Sequence, residues 1–248
     1  MRATSNSDRV AAAARNNAAW YASMFRAHGL PDETLPAVWL SRAPPPPYHS
    51  NLVVIADAPN DALAHIRALM ALPLAPGWSL KDSFHNLALN GLGFDVLFEA
   101  SWIWRAAGPT EAPSDPGWTR ITSPAELPAW EEGWRGEAGN AAAQGRPAQF
   151  PAALLADPDI AFFACHRGGE LVAGGIANRA AGAVGLSNVF IASGDARAVW
   201  AGLIHAASEI FPGLPLVGYQ RGASLDTAIA CAFQPIGPLR VWMRRVAP

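Results

Sequence analysis

The side chains that could carry out chemistry in this chain are few and scattered. Two cysteines, Cys165 and Cys231, lack the CxxC spacing of a zinc site and are too few for a secreted disulfide scaffold, so a reducing compartment is the simpler expectation. Cys165 and His166 are adjacent, as a thiol–imidazole pair would need, but neighbours on a strand point to opposite faces and cannot easily meet. The histidines at 28, 49, 65, 85, 166 and 205 show neither HExxH nor another ligand spacing, and no metal is expected. His205, Glu209 and Asp226 are available as general bases, although His205 and Glu209, four apart on one helix, read equally as a pair on its solvated side. Gly222-Ala223-Ser224-Leu225-Asp226 approximates a nucleophile elbow but ends in Asp where Gly is required, so Ser224 is better read as a helix N-cap. Gly91-Leu92-Gly93 lacks the preceding strand of a dinucleotide fingerprint. Lys81 is the only lysine, which rules out mechanisms that need a second one.

Bulk composition narrows the partners. With 18 basic and 20 acidic residues the net charge is −2, too little positive charge to attract phosphate backbones or anionic lipid, so neither nucleic acid nor membrane is expected. Arg9 and Arg15 interrupt the N-terminal alanines, and no run approaches the roughly 20 apolar residues of a bilayer span. The expected location is cytoplasmic. At 51% hydrophobic and 15% charged, 248 residues suffice for one large core or two small ones.

The elements that must position any site follow from periodicity and punctuation. A helix is expected over 8–27, capped by Ser7 and stopped by Gly29 and Pro31. Pro44 to Pro47 force an extended crossing. A strand at 52–55 feeds a helix at 61–72, followed by a strand at 78–82, a short helix at 84–92 and a long strand at 95–105. Pro109, Pro113, Pro116 and Gly117 mark a boundary, giving domains 1–117 and 118–248. Beyond it come a strand at 118–121, a helix opened by the capping box Ser123/Glu126, a loose 136–146 segment and a short helix at 150–156. A hairpin of 160–166 and 171–178, a strand at 184–191, a helix at 196–210, a strand at 216–219, a helix at 224–232 and a strand at 236–244 complete the chain. Most of the ten tryptophans should be core, with Trp102, Trp104 and Trp242 on final strands available to line a cleft.

The halves also echo one another. Pairing Phe94 with Phe233 gives a shift of 233 − 94 = 139, which also pairs Trp78 with Val217, Leu89 with Ala228 and Arg105 with Arg244. Ser50-Asn51-Leu52-Val53 resembles Ser187-Asn188-Val189-Phe190 at a slightly different shift.

The order of elements over 118–245, with the segments LSNVFI, VGYQRG and ACAFQPIGPLRVW, resembles the GNAT superfamily of N-acetyltransferases. The resemblance implies an α/β fold, a mixed central sheet with flanking helices, arranged as a partial N-terminal copy followed by a full C-terminal copy. It implies acetyl-CoA as co-substrate, with pantetheine against the backbone of Val189, Phe190 and Ile191 and pyrophosphate at the helix start formed by Ser193, Gly194, Asp195, Ala196 and Arg197. At the three marked positions of the family's phosphate loop stand Asp195, Ala198 and Trp200, the first repelling phosphate and the last bulky where close approach is wanted; Gly194 and Arg197 are the compensating residues. The family often places a proton-donating tyrosine in its last helix, where this chain has Ala228-Ile229-Ala230-Cys231-Ala232; Tyr219 is the nearest substitute, or else a core-edge tyrosine with its hydroxyl in water. Two readings stay open: an acyl-CoA-dependent N-acetyltransferase acting on a small-molecule or peptide amine, or a catalytically inactive GNAT-like protein that binds a ligand or acts through an interface. A homodimer through the last strands is open as well.

Overall fold

The computed structural model describes residues 5–74, 77–110, 117–137 and 148–245. The prolines at 113 and 116 and most of the 136–146 segment lie outside these residues. Among the described residues no helix is long and apolar enough to cross a membrane, and no group of His, Cys, Asp and Glu could hold a metal ion.

The chain folds as two compact units, Met1–Trp102 with Tyr219–Arg221 and Pro235–Pro248, and Ile103–Gly218 with Gly222–Gln234. Each is α/β, mixing parallel and antiparallel strands with flanking helices.

In the first unit, helix α1 (Asn6–Ala27) is capped by Ser5 rather than Ser7. Ser5 Oγ accepts the Asp8 amide while the Asp8 carboxylate accepts the Ser5 amide, both at 3.1 Å, a reciprocal bond that Ser7 cannot form because Val10 stands three residues on. Strands β1 (Glu33–Thr34), β2 (Val38–Leu40), β3 (Leu52–Val54), β4 (Ser79–Asp82), β11 (Gln234–Arg244) and β5 (Phe94–Arg105) follow in the order β1-β2-β3-β4-β11-β5. Only β3 and β4 are parallel among the pairs from β1 to β11. Register separates two faces: Leu40, Leu52, Leu80 and Trp242 pair across one row, Trp39, Val53, Lys81 and Val241 across the next. The first row packs on helix α2 (Pro59–Met70) through Ala62, Ile66 and Leu69. The second meets α1, where Tyr21 and Phe25 lie edge-on to Trp39 at 5.6 and 5.0 Å.

The helix expected at 84–92 does not form. Buried Asp82 turns its carboxylate on the amides of Asn86 and Leu87, at 3.2 and 3.0 Å, and holds an irregular turn with His85 at φ 54° before a single 3-10 turn at Asn90–Leu92.

The second unit orders its strands β10-β9-β8-β7-β6, with β6 (Trp118–Ile121), β7 (Ile160–Arg167), β8 (Glu170–Ala180), β9 (Ala183–Ile191) and β10 (Leu216–Gln220). The pairs from β6 to β9 are antiparallel, and β9 with β10 is parallel. Helix α3 (Leu127–Glu137) covers one face, its Trp130 edge-on to Phe150, Phe162 and Phe190. Helix α4 (Ala196–Ile210) covers the other with Trp200, Leu203, Ile204 and Ala207. The glycine pair in β8 permits both approaches: a Cβ on Gly174 would collide with Phe190 and Trp130, one on Gly175 with Leu203. Helix α5 (Gly222–Ala230) starts two residues before Ser224, so that serine lies inside the helix and is not its cap.

Candidate functional site

The part of the site assigned to β9 and α4 lies in the second unit. The parallel pairing of β10 with β9 consists of Leu216↔Val184 and Val217↔Gly185. Past Gly185, β9 continues for six residues in register with β8 alone, to Ile191 opposite Ala173. The β8 register shifts between Gly174 and Ile176, where Asn188 takes φ 52°; asparagine tolerates that left-handed conformation better than most residues, and the resulting bulge turns the strand locally. Ser187, Asn188, Val189 and Ile191 are half-buried, while the Phe190 ring is buried under Trp130. Val189, Phe190 and Ile191 therefore sit on a stretch of strand that has, among the described residues, one ladder neighbour.

The loop to α4 is built differently from the sequence expectation. The amides of Ala192 and Ser193 both donate to Val172 O, at 2.8 and 3.2 Å, so the Ser193 amide is already engaged. Gly194 takes φ 104°, and the Arg167 guanidinium packs where a side chain at that position would be. Asp195 is the N-cap, its Oδ1 accepting the Ala198 amide at 2.8 Å. Helix geometry leaves the amides of Ala196 and Arg197 as donors without an intrahelical acceptor. Trp200 does not obstruct this loop. It is 3% exposed and packs edge-on to Phe233 at 5.7 Å, because about 1.4 turns beyond the cap the helix has rotated that position into the core.

Two cations that sequence spacing did not reveal, Arg105 and Arg167, join Arg197 near this loop. Burial raises the Cys231 thiol, against the opposing fields of Arg197 and Arg105 and with Asp195 adding to the rise. The thiol, donating to Arg197 O at 3.7 Å, is a half-buried structural group rather than a nucleophile. Arg105 has a buried Nε with no hydrogen-bond partner among the described residues. Arg167, at the end of β7 beside the Gly168-Gly169 turn, carried no local signal of its proximity to Gly194.

Tyr219 lies in the first unit, half-buried on β10. It stacks on Phe98 at 6.4 Å and meets Trp102 edge-on at 5.6 Å, and the Lys81 Nζ stands 4.1 Å from its ring centre. Burial raises the Tyr219 phenol, with Arg221 opposing, so at neutral pH it holds its proton and can give it up to a stronger base. Trp102 and Trp242 are fully buried in the same unit.

Other sequence candidates do not assemble. His205 Nδ1 is 2.9 Å from Thr110 Oγ1, and Glu209 and Asp226 are exposed. Cys165 is buried and His166 exposed, with a bulge between them.

No family model and no curated relative matches the chain. Solved structures do resemble it. A functionally unknown conserved protein from Staphylococcus epidermidis matches with a TM-score of 0.65 at 10% identity, over 88% of this chain and 95% of that one. A candidate acetyltransferase of the GNAT family from Novosphingobium aromaticivorans matches at 0.58 and 12% identity, over 92% and 97%. A GCN5-related N-acetyltransferase from Kribbella flavida matches at 0.57 and 14%, over 95% and 96%. The chain thus has a GNAT-like fold.

Proposed function

We propose that the protein is an acyl-CoA-dependent N-acetyltransferase, moving an acetyl group from acetyl-CoA to an amine on a small molecule or peptide, with the C-terminal copy active and the N-terminal copy structural. The observation that carries this reading is the stretch of β9 past Gly185, which has a ladder partner on one side only, immediately before a helix start. An extended pantetheine arm can add to such an edge at Val189, Phe190 and Ile191. The pyrophosphate then meets the amides of Ala196 and Arg197, with the Arg167 and Arg197 side chains offsetting the negative cap at Asp195; Ser193 and Gly194 shape the turn. Tyr219 protonates the departing thiolate. The strand orders β1-β2-β3-β4 and β7-β8-β9-β10, with the same sequence of antiparallel, antiparallel and parallel pairings, support the tandem reading.

Titration calorimetry of acetyl-CoA into the purified chain tests it. Binding should appear with a thermal shift of several degrees, since ligand at a hundredfold excess over Kd adds about 2.7 kcal/mol of stability. No heat and no shift at millimolar acetyl-CoA would overturn the enzyme reading in favour of a catalytically inactive GNAT-like ligand-binding or interaction protein.

A further inference from the structure

Lys81 is the only lysine of the chain, and on β4 it is 1% exposed. An ammonium there gives up its hydration, a penalty that is normally offset by an acid partner. None is found among the described residues. The Nζ donates one hydrogen bond, to Asn17 Oδ1 of α1 at 2.6 Å, and otherwise faces rings: Tyr219 at 4.1 Å, Tyr21 at 4.9 Å and Trp102 at 6.0 Å. The adjoining Asp82 spends both carboxylate oxygens on Asn86 and Leu87. Of the other titratable groups around it, Tyr21 is pushed up by burial, with Tyr219 adding to the rise, and keeps its proton, while His49 is pushed down to about 4 by burial and is neutral; Arg221, which stands over Phe98, acts on Tyr219. An apolar side chain such as methionine would fill this space without the penalty. The charge is thus aimed at ring faces, and the nearest ring belongs to the tyrosine assigned a proton transfer.

We infer that Lys81 is a positioning residue for Tyr219, its ammonium offsetting the negative charge that grows on the phenol as the proton leaves. The catalytic consequence rests on the acetyl-transfer reading. In that step the acceptor nitrogen attacks the thioester carbonyl, the N–C bond forms and the C–S bond breaks with its electron pair remaining on sulfur. The Tyr219 hydroxyl proton passes to sulfur, and the proton released by the acceptor nitrogen restores the phenol. A cation in a desolvated site lowers the cost of the transient phenolate. Burial brings Lys81 down to about 7, so this assistance is present below neutrality and fades as pH rises.

The test needs neither CoA nor acceptor. Tyrosine ionisation is followed by ultraviolet absorbance in Lys81→Arg and Lys81→Met, each subtracted from its Tyr219→Phe partner so that Tyr219 alone is read. Arginine keeps its charge at all pH, so Tyr219 should ionise at least tenfold more readily in Lys81→Arg than in Lys81→Met. Coincident curves would overturn the inference. If Lys81→Arg does not fold, wild type labelled with ¹³Cε-lysine gives one ε resonance, which should show an inflection at tyrosine ionisation that Tyr219→Phe lacks; its absence would overturn the inference equally. Thiol release from acetyl-CoA with an alkylamine acceptor then reads the consequence: wild type should lose rate as pH rises through 7 and Lys81→Arg should not. Failed CoA binding with intact coupling counts against the acetyl-transfer reading and its catalytic consequence, whereas CoA binding without coupling counts against Lys81.

Discussion

Two segments of the molecule follow one plan and end differently. In the first unit β3, α2 and β4 form a parallel strand pair with its crossover helix; in the second β9, α4 and β10 do the same. Every residue of β3 and β4 is buried, with β2 and β11 completing the ladder on either side. Past Gly185, by contrast, β9 keeps β8 alone and is largely half-buried. Their helices begin differently too. α2 opens on Pro59, which has no amide to satisfy, and Ala58 makes no side-chain cap, while α4 opens on Ala196 and is capped by the Asp195 side chain. A strand paired on both sides becomes core; a strand that loses a neighbour becomes an edge on which a ligand backbone can register.

The comparison can be broken most severely at Trp200. If α4 closes a true core, Trp200→Ala should cost about 3–5 kcal/mol in urea unfolding, whereas a loss within ~0.5 kcal/mol would return that side chain to the loop. In the first unit Lys81→Met should stabilise the protein by about 1–4 kcal/mol at pH 6. A lysine with a folded pKa lowered from 10.5 to about 7 penalises the native state most where it is protonated, below 7. Between about 7 and 10.5 the unfolded chain binds more protons, so wild-type stability should rise relative to Lys81→Met by up to about 1.4 kcal/mol per pH unit. A flat difference across that range would show that Lys81 is hydrated. Gly202→Ala, which sets a methyl against the Trp118 indole, should cost about 1–3 kcal/mol by the same melts. Smallest are the caps. Asp195→Ala should cost about 1 kcal/mol, and Ala58→Asp should gain a few tenths. Asp195→Asn should keep the cap yet tighten acetyl-CoA by calorimetry; weaker binding would mean the carboxylate helps rather than repels.

Local rules carried much of the fold. The helix expected at 196–210, stopped by Pro212 and Gly213, stands at Ala196–Ile210 in the structure. The short helix expected at 84–92 fails because buried Asp82 claims the amides of Asn86 and Leu87, a tertiary choice that local sequence does not encode. The candidate site was less legible for a related reason. Asn17 and Lys81 are 64 positions apart, and nothing in either neighbourhood encodes their meeting. Arg167 likewise reaches Gly194 only through the fold. Helical phase explains Trp200, which aligning helix against helix set at a marked position of the phosphate loop and which its angle around the helix turns into the core.

Enclosing the only ε-amino group has an effect outside the core. Every basic side chain left for the surface is a guanidinium or an imidazole. Amine-directed cross-linkers find no side chain to react with while the fold holds, whereas dicarbonyl reagents that select arginine have many. Under the proposed acetyl transfer such a coat would be chemically silent: a bound thioester would meet no lysine on the surfaces of neighbouring copies.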